Sequence, residues 1–316
     1  MTDGNGFLGG RLLVVAFEGW NDAGEAATGA VRTLKDLLQV AEITSVDPEV
    51  YFDYQFNRPT VSTDEDGVRQ LEWPSATFFG PEVPGAVGLP LAEDAQLRVS
   101  GTNAGNIYLL LGTEPSRSWK SFTAEMIDAA LAADITGIVF MGAMLADVPH
   151  TRPISIVATS DNPQVRAELS IERSNYEGPV GILSVLAHAA ELIGIPTLAI
   201  WASVPHYVHN APSPKAMLAL IDKLEEIIDV VIPRGDLVSE AAEWESGIDA
   251  LAAEDDEMAA YIAQLEQARD TVDSPEASGE AIAQEFEQYL RKRNDGRDGR
   301  DGWADGRPGG EGPRQQ

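Results

Sequence analysis

Apolar runs and amphipathic stretches alternate along most of the chain. Four runs are almost continuously apolar, which is typical of strands buried on both faces of a sheet. Stretches of helical length with apolar residues on one face lie between them. The strand runs are Arg11–Phe17, Ile107–Leu111, Gly137–Met144 and Thr197–Ala202, and the helical stretches include Glu25–Gln39, Trp119–Ala133 and Leu183–Ile193. The pattern predicts a three-layer α/β/α domain around a mainly parallel or mixed sheet.

A shorter pattern interrupts this alternation between residues 50 and 79. Val50–Phe56, Val68–Trp73 and Ala76–Phe79 are short, rich in aromatic residues, and alternate between apolar and polar positions. Turn-forming residues separate them. These segments predict antiparallel excursions from the parallel sheet, followed by a loop over Gly80–Gly101.

The composition changes after Pro233-Arg234-Gly235. Residues 235–293 are rich in Ala and Glu with Leu and Ile at helical spacing, which predicts an acidic helical extension. Residues 294–316 repeat Gly, Asp and Arg, so burial cannot offset the entropy of ordering them. We therefore expect an α/β/α domain over residues 1–234, the extension over 235–293 and a disordered tail over 294–316.

The net charge of the chain limits the classes of partner that it is expected to bind. There are 51 acidic and 22 basic residues, a formal net charge of −29. Sixteen of the acidic residues, but only Arg269 among the basic ones, lie between Gly235 and Leu290. A chain this negative is repelled by phosphate backbones and anionic lipids, so we expect neither nucleic acid nor membrane as a partner. The acidic segment is typical of a solvated helical surface, and it would also suit a basic partner.

Cysteine usage and the first residues of the chain bear on its compartment. The chain has no cysteine, which excludes disulfides, thiolate nucleophiles and zinc-thiolate sites. The opening residues MTDGNGFLGG do not resemble a secretory signal, and the apolar runs are too short to cross a bilayer. We expect a cytoplasmic protein.

The first candidate site is the loop after the first predicted strand, Glu18–Gly24. Glu18, Asn21 and Asp22 precede a helix whose backbone amides could bind an anion. The loop matches neither the dinucleotide-binding pattern nor the phosphate-binding loop of nucleotide hydrolases. A helix cap formed by Asn21 or Asp22 is the simpler explanation.

Two later loops also place charged residues after strands. Glu114 and Arg117 follow Ile107–Leu111, where they could bind a small carboxylate or phosphate. His150 and Arg152 follow Gly137–Met144 and form another candidate anion site. In both loops, a helix cap or an ordinary surface turn is the alternative.

A pair of histidines, His206 and His209, follows the strand Thr197–Ala202. Their spacing suggests a metal site, but the sequence places no third ligand beside them, so we expect no metal and no cofactor. The chain also lacks a Gly-x-Ser-x-Gly nucleophile elbow, and we name no catalytic residue.

Several segments, taken in order, resemble the proteasome assembly chaperone 2 family, and most closely its actinobacterial branch. The resemblance spans Arg11–Leu290, and its last part is the acidic helical C-terminus. The earlier segments are LLVVAFEGWNDAGEAATGAV, LLLGTEPSRSWKSF, VPHTRP and YEGPVGILSVLAHAAELIGIPTLAIWASVPHYV.

The resemblance implies an α/β/α fold similar to the purine nucleoside phosphorylases, self-assembly, and no established catalysis. Eukaryotic and archaeal members of the family hold proteasome α-type subunits during ring assembly, and some end in a hydrophobic-Tyr-X tail. This chain ends in Pro-Arg-Gln-Gln, so we do not expect docking by such a tail. The family supplies no catalytic residues to transfer.

Two hypotheses for the function follow. The first is a non-enzymatic, chaperone-like or interaction protein that forms a homo-oligomer, for which a trimer is one arrangement, and that contacts a subunit of a protein complex. The second is an enzyme or small-molecule binder of phosphorylase-like fold that uses the loops after the strands. Because the carboxyl ends of parallel strands meet at one edge, the candidate residues are expected to converge there. They are Glu18, Asn21, Asp22, Glu114, Arg117, His150, Arg152, His206 and His209.

Overall fold

The strands and helices follow the predicted alternation. The computed structural model describes residues 7, 9–38, 40–64, 67–82, 100–101, 104–208 and 211–273. Its strands are β1 Arg11–Glu18, β2 Val40–Ser45, β3 Thr60–Thr63, β4 Arg69–Glu72, β5 Ala76–Pro81, β6 Ser100–Gly101, β7 Ile107–Thr113, β8 Ile135–Ala146, β9 Ile156–Thr159, β10 Thr197–Pro205 and β11 Val230–Val231. Its helices are α1 Ala26–Leu37, α2 Pro48–Tyr51, α3 Trp119–Ala132, α4 Pro163–Leu169, α5 Ile182–Leu192, α6 Pro214–Ile228, α7 Leu237–Ala253 and α8 Asp256–Asp273.

The main sheet has seven strands in the order β2-β5-β7-β1-β8-β10-β9. The four central strands β7, β1, β8 and β10 are parallel neighbours. At the two edges, β5 pairs antiparallel with β7, β2 with β5, and β9 with β10. The predicted mixed sheet is therefore confirmed, with the apolar strand β1 at its centre.

Successive side chains of β1 pack into two separate layers, because a strand alternates its side chains between the faces of a sheet. Leu12 and Val14 pack among the buried side chains of α1 and α6. Leu13 and Phe17 pack on the other face among those of α3 and α5. Helices thus cover both faces, which confirms the three layers, while the specific likeness to phosphorylases stays a prediction.

One predicted strand is wrong. Val50–Phe56 does not form a strand, because Pro48–Tyr51 is the short helix α2. Asp47 caps that helix, its carboxylate accepting a hydrogen bond from the backbone N–H of Glu49 at 3.0 Å. Pro48 occupies the first turn, where its missing N–H costs nothing. Of the residues that suggested a strand, Tyr51 and Phe52 are buried, whereas Val50 and Phe56 are exposed.

Two helices follow the sheet in the region of the predicted acidic extension. They are α7 and α8, and the chain divides into two compact units, residues 1–263 and 264–316, with the boundary inside α8. The proposed domain limits at 234 and 293 stay a prediction, and the predicted tail 294–316 lies outside the described residues. Within the described part of the chain, every helix is too short or too polar to cross a membrane.

Candidate functional site

Four of the predicted site residues lie together at the carboxyl ends of β1 and β7. Glu18 ends β1, Asn21 and Asp22 follow it in the loop before α1, and Glu114 comes directly after β7. We call these four residues the carboxylate cluster. Because Glu18 lies opposite Thr113 in the parallel register of the two strands, the loops that follow them start side by side.

Asn21 and Glu114 connect three elements of the fold. The side-chain amide of Asn21, which is 1% exposed, donates from Nδ2 to Glu114 Oε1 at 3.0 Å. The same carboxylate oxygen accepts a hydrogen bond from the backbone N–H of Ile182, the first residue of α5, at 2.8 Å. The carbonyl of Asn21 accepts from the backbone N–H of Ala143 at 2.8 Å. Glu114 therefore occupies the helix N-terminus where an external anion would bind.

The residue before α5 packs directly against the Asn21 side chain. A Cβ atom built on Gly181, the residue before α5, would lie 2.2 Å from Asn21 Oδ1. Only a glycine fits at such a distance, so Gly181 is needed for the close approach of the α5 N-terminus to the β1–α1 loop. This contact fixes the relative positions of the two loops.

Asp22 has a different partner, the first turn of α1. Its Oδ1 accepts hydrogen bonds from the backbone N–H groups of Ala27 at 2.7 Å and Thr28 at 3.3 Å, and its Oδ2 accepts from the Thr28 hydroxyl. Burial raises the pKa of the Asp22 carboxyl, and these hydrogen bonds oppose the rise only in part. Asp22 therefore acts as the cap that the sequence suggests, at the cost of burying a carboxylate.

Glu18 completes the cluster with an ion pair. One of its carboxylate oxygens pairs with the guanidinium of Arg32 on α1, and the other accepts from the Thr113 hydroxyl at 2.9 Å. Both side chains of the ion pair are 42% exposed, so solvent screens the interaction. Every member of the carboxylate cluster is thus bonded to the protein itself.

Two of the histidines, His150 and His206, lie in a second group beside the ends of β8 and β10. We call His150, His206, Tyr207 and Asp249 the histidine cluster. The His150 side chain is completely buried, and both of its ring nitrogens have partners: Nδ1 lies 2.9 Å from the Tyr207 hydroxyl and Nε2 lies 3.0 Å from Asp249 Oδ1. The His150 backbone N–H also donates to the Tyr207 hydroxyl at 2.7 Å. An imidazole whose two nitrogens both have protein partners stabilises the local structure, rather than offering a nitrogen to an external ligand.

This cluster joins α7 to the sheet domain. Asp249 lies on α7, and the Trp244 ring of the same helix packs edge to face against His150 with ring centroids 6.4 Å apart. A second connection runs through Lys215 at the start of α6, whose Nζ donates to the His150 carbonyl and pairs with Glu245 of α7. These two polar links and the aromatic contact add to the burial of Leu237, Ala241, Ile248 and Ala252, the apolar side of α7.

His206, the other histidine of the cluster, contacts Asp147 and two tyrosines. Its Nδ1 lies 3.2 Å from Asp147 Oδ1, and its ring packs edge to face against Tyr207 and Tyr261. The pKa of the Tyr261 phenol is raised, first by desolvation and then by the nearby Asp147 carboxylate. His209 lies outside the described residues. Within the residues that the structure covers, no group of three or more His, Asp or Glu side chains is arranged to hold a metal ion.

The two predicted arginines have local partners. Arg117 is exposed, and its Nε donates to the Val50 carbonyl of α2 at 3.2 Å. Arg152 Nη1 lies 3.3 Å from the hydroxyl of its neighbour Thr151. Arg117 thus ties α2 to the loop after β7, which is a use that the sequence does not indicate because α2 itself is not predicted.

The sequence also gives no signal for Asp249 of the histidine cluster or for Lys215, which binds the His150 carbonyl. Asp249 lies 99 positions from His150 in an extension whose carboxylates all look alike in the sequence. Lys215 opens α6, 65 positions from the carbonyl that it binds. The sequence does offer a signal for Tyr207 as a site residue, because it lies between two histidines directly after a strand. The other contacts arise from the docking of α7, and no local spacing predicts them.

A surface depression of about 520 Å³ lies at the opposite end of the strands. Arg11, the first residue of β1, and Tyr108, the second of β7, line it together with Glu125 and Ala133 of the α3 side. Its floor contains no member of either cluster. The predicted site residues therefore do not line this depression.

These features define an α/β/α protein whose strand-end polar groups bind its own helices and loops. A model of the PAC2 family matches residues 16–252, and the chain belongs to that family. A PAC2 family protein from Streptomyces avermitilis is 39% identical, with a TM-score of 0.67 and coverage of 79% of this chain and 98% of that one. This identifies the family that the sequence resemblance indicated.

Two further structures place the fold more widely. A proteasome-assembly chaperone homologue from Mycobacterium tuberculosis is 36% identical, with a TM-score of 0.66 and coverage of 79% of this chain and 99% of that one. An archaeal proteasome activator from Pyrococcus furiosus is 14% identical, with a TM-score of 0.55 and coverage of 76% and 93%, a likeness of fold alone. No curated protein matches the chain.

Proposed function

We propose that this chain is a non-enzymatic, chaperone-like protein of the cytoplasm, which self-associates and binds a subunit of a larger protein complex. Family membership and the description of the mycobacterial relative as a proteasome-assembly chaperone homologue support the proposal. The acidic surface of the chain also favours a protein partner over nucleic acid.

The observation that carries the proposal is the position of Glu114. In an α/β protein that acts on small anionic molecules, a helix N-terminus beside the strand ends binds the ligand. Here the N-terminus of α5 binds the carboxylate of Glu114, and Asn21 holds that carboxylate in place. A phosphate or carboxylate ligand would have to displace a bonded side chain from a closely packed position, which supports a structural role for the strand-end residues.

Two measurements test the proposal on the full chain. Light scattering across the micromolar range is expected to return a mass of several chains, and one chain mass throughout would contradict self-association. Affinity purification from native lysate is expected to recover one partner polypeptide in amounts comparable to the bait. Failure to recover any such polypeptide at every salt concentration tested would contradict the chaperone-like role.

Thermal unfolding with inorganic phosphate separates this proposal from the enzyme hypothesis. Compared with sulfate at the same ionic strength, phosphate is expected to cause no further rise in the melting temperature of the wild type, because Glu114 fills the candidate anion position. A rise that disappears in an Arg117→Ala or Arg152→Ala variant would favour a small-molecule site among the strand-end loops. Arg58→Ala, which removes another exposed arginine, is the control.

A further inference from the structure

Helix α5 covers one face of the sheet with one of its sides and exposes another side to solvent. Its buried residues, which pack in the same layer as the side chains of α3, are Ile182, Leu183, Leu186 and Ala190. Ser184, His188 and Leu192 are exposed, and their spacing of four residues places them on one side of the helix. We call this side, with the half-buried Val185 and Ala189 beside it, the outer face of α5.

The outer face of α5 carries no carboxylate and no lysine or arginine. The one acidic residue of the helix, Glu191, is bonded to the protein. Its Oε1 accepts hydrogen bonds from the backbone N–H of Thr197 at 2.6 Å and from the hydroxyl of the same residue at 2.9 Å. Its Oε2 accepts from Asn162 Nδ2 at 3.0 Å. The helix therefore exposes apolar and uncharged polar side chains around His188.

The other helices differ from α5 in this respect. Within the described residues, each of the other seven has at least one exposed carboxylate, examples being Asp36 on α1, Asp128 on α3, Asp222 on α6 and Glu240 on α7. The formal net charge of the chain is −29. A helix surface without a free carboxylate is therefore an exception in this protein.

Large apolar side chains continue this surface at the amino ends of the strands. α3 and α5 lead into the parallel neighbours β8 and β10, so the last turns of the two helices lie at the same end of the layer. Leu192 is 74% exposed there, Ile193 is 48% exposed, and Leu131 of α3 is 51% exposed. The fully exposed charges of α3, Lys120 and Asp128, have opposite signs. The surface is thus apolar, and the exposed charges of α3 beside it balance.

The charge of the chain indicates which partner fits this surface. A basic partner is attracted to exposed carboxylates, which α7 offers and the outer face of α5 does not. Two copies of a chain this negative repel each other, so they meet at the lowest cost where neither has to bury or oppose a carboxylate. We infer that the outer face of α5 packs against the same face of a second copy of this chain. The inference rests on the self-association proposed above and assigns it a surface.

A His188→Glu variant tests the assignment by light scattering of the full chain. His188 lies between Ser184 and Leu192 on the outer face, so a two-fold contact brings the two new carboxylates towards each other. The matched control is Ala250→Glu, which adds the same charge at an exposed position of α7. Both variants are expected to keep the wild-type circular dichroism. The His188→Glu variant is expected to dissociate at concentrations at least about tenfold higher than the wild type and the control.

A mixture of variants tests whether the face packs against itself. An equimolar mixture of the His188→Glu and His188→Lys variants is expected to associate more strongly than either variant alone, because opposite charges then meet across the contact. A mixture that associates no more strongly than the His188→Glu variant would contradict the packing of this face against its own copy. Leu192→Ser, a change without charge, is expected to weaken association in the same direction as His188→Glu.

Salt gives an independent measurement. Raising sodium chloride from about 50 mM to about 500 mM screens the repulsion between the two negative chains and is expected to strengthen wild-type association. Weaker association at high salt would mean that opposite charges hold the copies together, which contradicts the inference.

The outcomes separate this inference from the wider proposal. A wild type that is monomeric throughout overturns both. An oligomeric wild type whose mass is unchanged in the His188→Glu and Leu192→Ser variants overturns only the assignment of the α5 face. Equal dissociation of the His188→Glu variant and the Ala250→Glu control also overturns the assignment, since added charge anywhere would then have the same effect.

Discussion

The carboxylate cluster and the histidine cluster lie at the same end of the sheet but are built from different bonds. In the first, Glu114 and Asp22 accept hydrogen bonds from backbone N–H groups at the starts of α5 and α1. In the second, His150 binds the side chains of Tyr207 and Asp249, and Asp249 lies on the added helix α7. The first cluster joins elements of the sheet domain, whereas the second attaches an extension to it.

This difference indicates how each cluster contributes to stability. A backbone N–H at a helix start has a fixed position, so the removal of its acceptor leaves a buried donor without a partner. A side-chain link to an outer helix can open with that helix, and water then replaces the lost partner. We therefore expect global destabilisation from changes in the carboxylate cluster and local opening of α7 from changes in the histidine cluster.

The largest effect is expected for Glu114→Ala. This change removes the acceptor of both the Asn21 amide and the Ile182 backbone N–H, and we expect it to lower the free energy of unfolding by about 2–3 kcal/mol. Urea denaturation provides the measurement. Glu114→Gln keeps one carbonyl oxygen and is expected to lose less, while Glu177→Ala, an exposed change, serves as control. Equal stability of the Glu114→Ala and Glu177→Ala variants would remove the contrast between the clusters.

A smaller and more local effect is expected for Asp249→Ala. The change removes the partner of His150 Nε2, and because Asp249 is 59% exposed we expect a loss of only about 0.5–1 kcal/mol. Hydrogen exchange should show faster exchange of the α7 amides, with the β1 and β8 amides unchanged. Glu243→Ala on the exposed side of α7 is the matched control. Acceleration throughout the sheet would mean that α7 and the sheet unfold together.

The smallest effect is a pH dependence carried by Asp22. Burial raises the pKa of this carboxyl above its ordinary value of 3.8, so the folded state binds the proton more tightly than the unfolded state. The contribution of Asp22 to stability is therefore fully present below that ordinary value and is lost as pH rises through the raised value. An Asp22→Asn variant cannot ionise there, and it keeps an oxygen to accept from Ala27 and Thr28.

The wild type should therefore lose stability relative to the Asp22→Asn variant as pH rises from about 4 to about 8. Urea denaturation at several pH values measures it. The same experiment on the Asp249→Ala variant gives the comparison from the second cluster. A difference that stays constant over this pH range would show that the proton affinity of Asp22 does not change on folding.

The sequence pattern predicts the central part of the fold and is weaker at its edges. The strands β1, β7, β8 and β10 are apolar on both faces, which produces a signal that no surface segment imitates. The edge strand β2 is exposed along most of its length, so its residues carry no comparable pattern. Val50–Phe56 is predicted wrongly because the capping by Asp47 and Pro48 outweighs the β-forming residues that follow.

The candidate site can be predicted only as far as strand ends can be located. Glu18, Asn21, Asp22 and Glu114 lie at or just after the ends of predicted strands, and the carboxyl ends of parallel strands share one edge of a sheet. The bonds that they make could not be predicted, because Ile182 and Gly181 approach them from a loop about 70 residues beyond Glu114. The grouping of His150 with Asp249 depends on how α7 docks, which local spacing does not encode.

The central position of β1 also has a consequence during synthesis of the chain. β1 precedes the other described strands along the chain, yet its neighbours begin only at Ile107 and Ile135. At a typical ribosome speed, about 5–20 s pass before β7 exists, and longer before β8 does. Throughout that interval a nascent, continuously apolar strand has both of its edges unpaired, which is the condition that favours association between chains on neighbouring ribosomes.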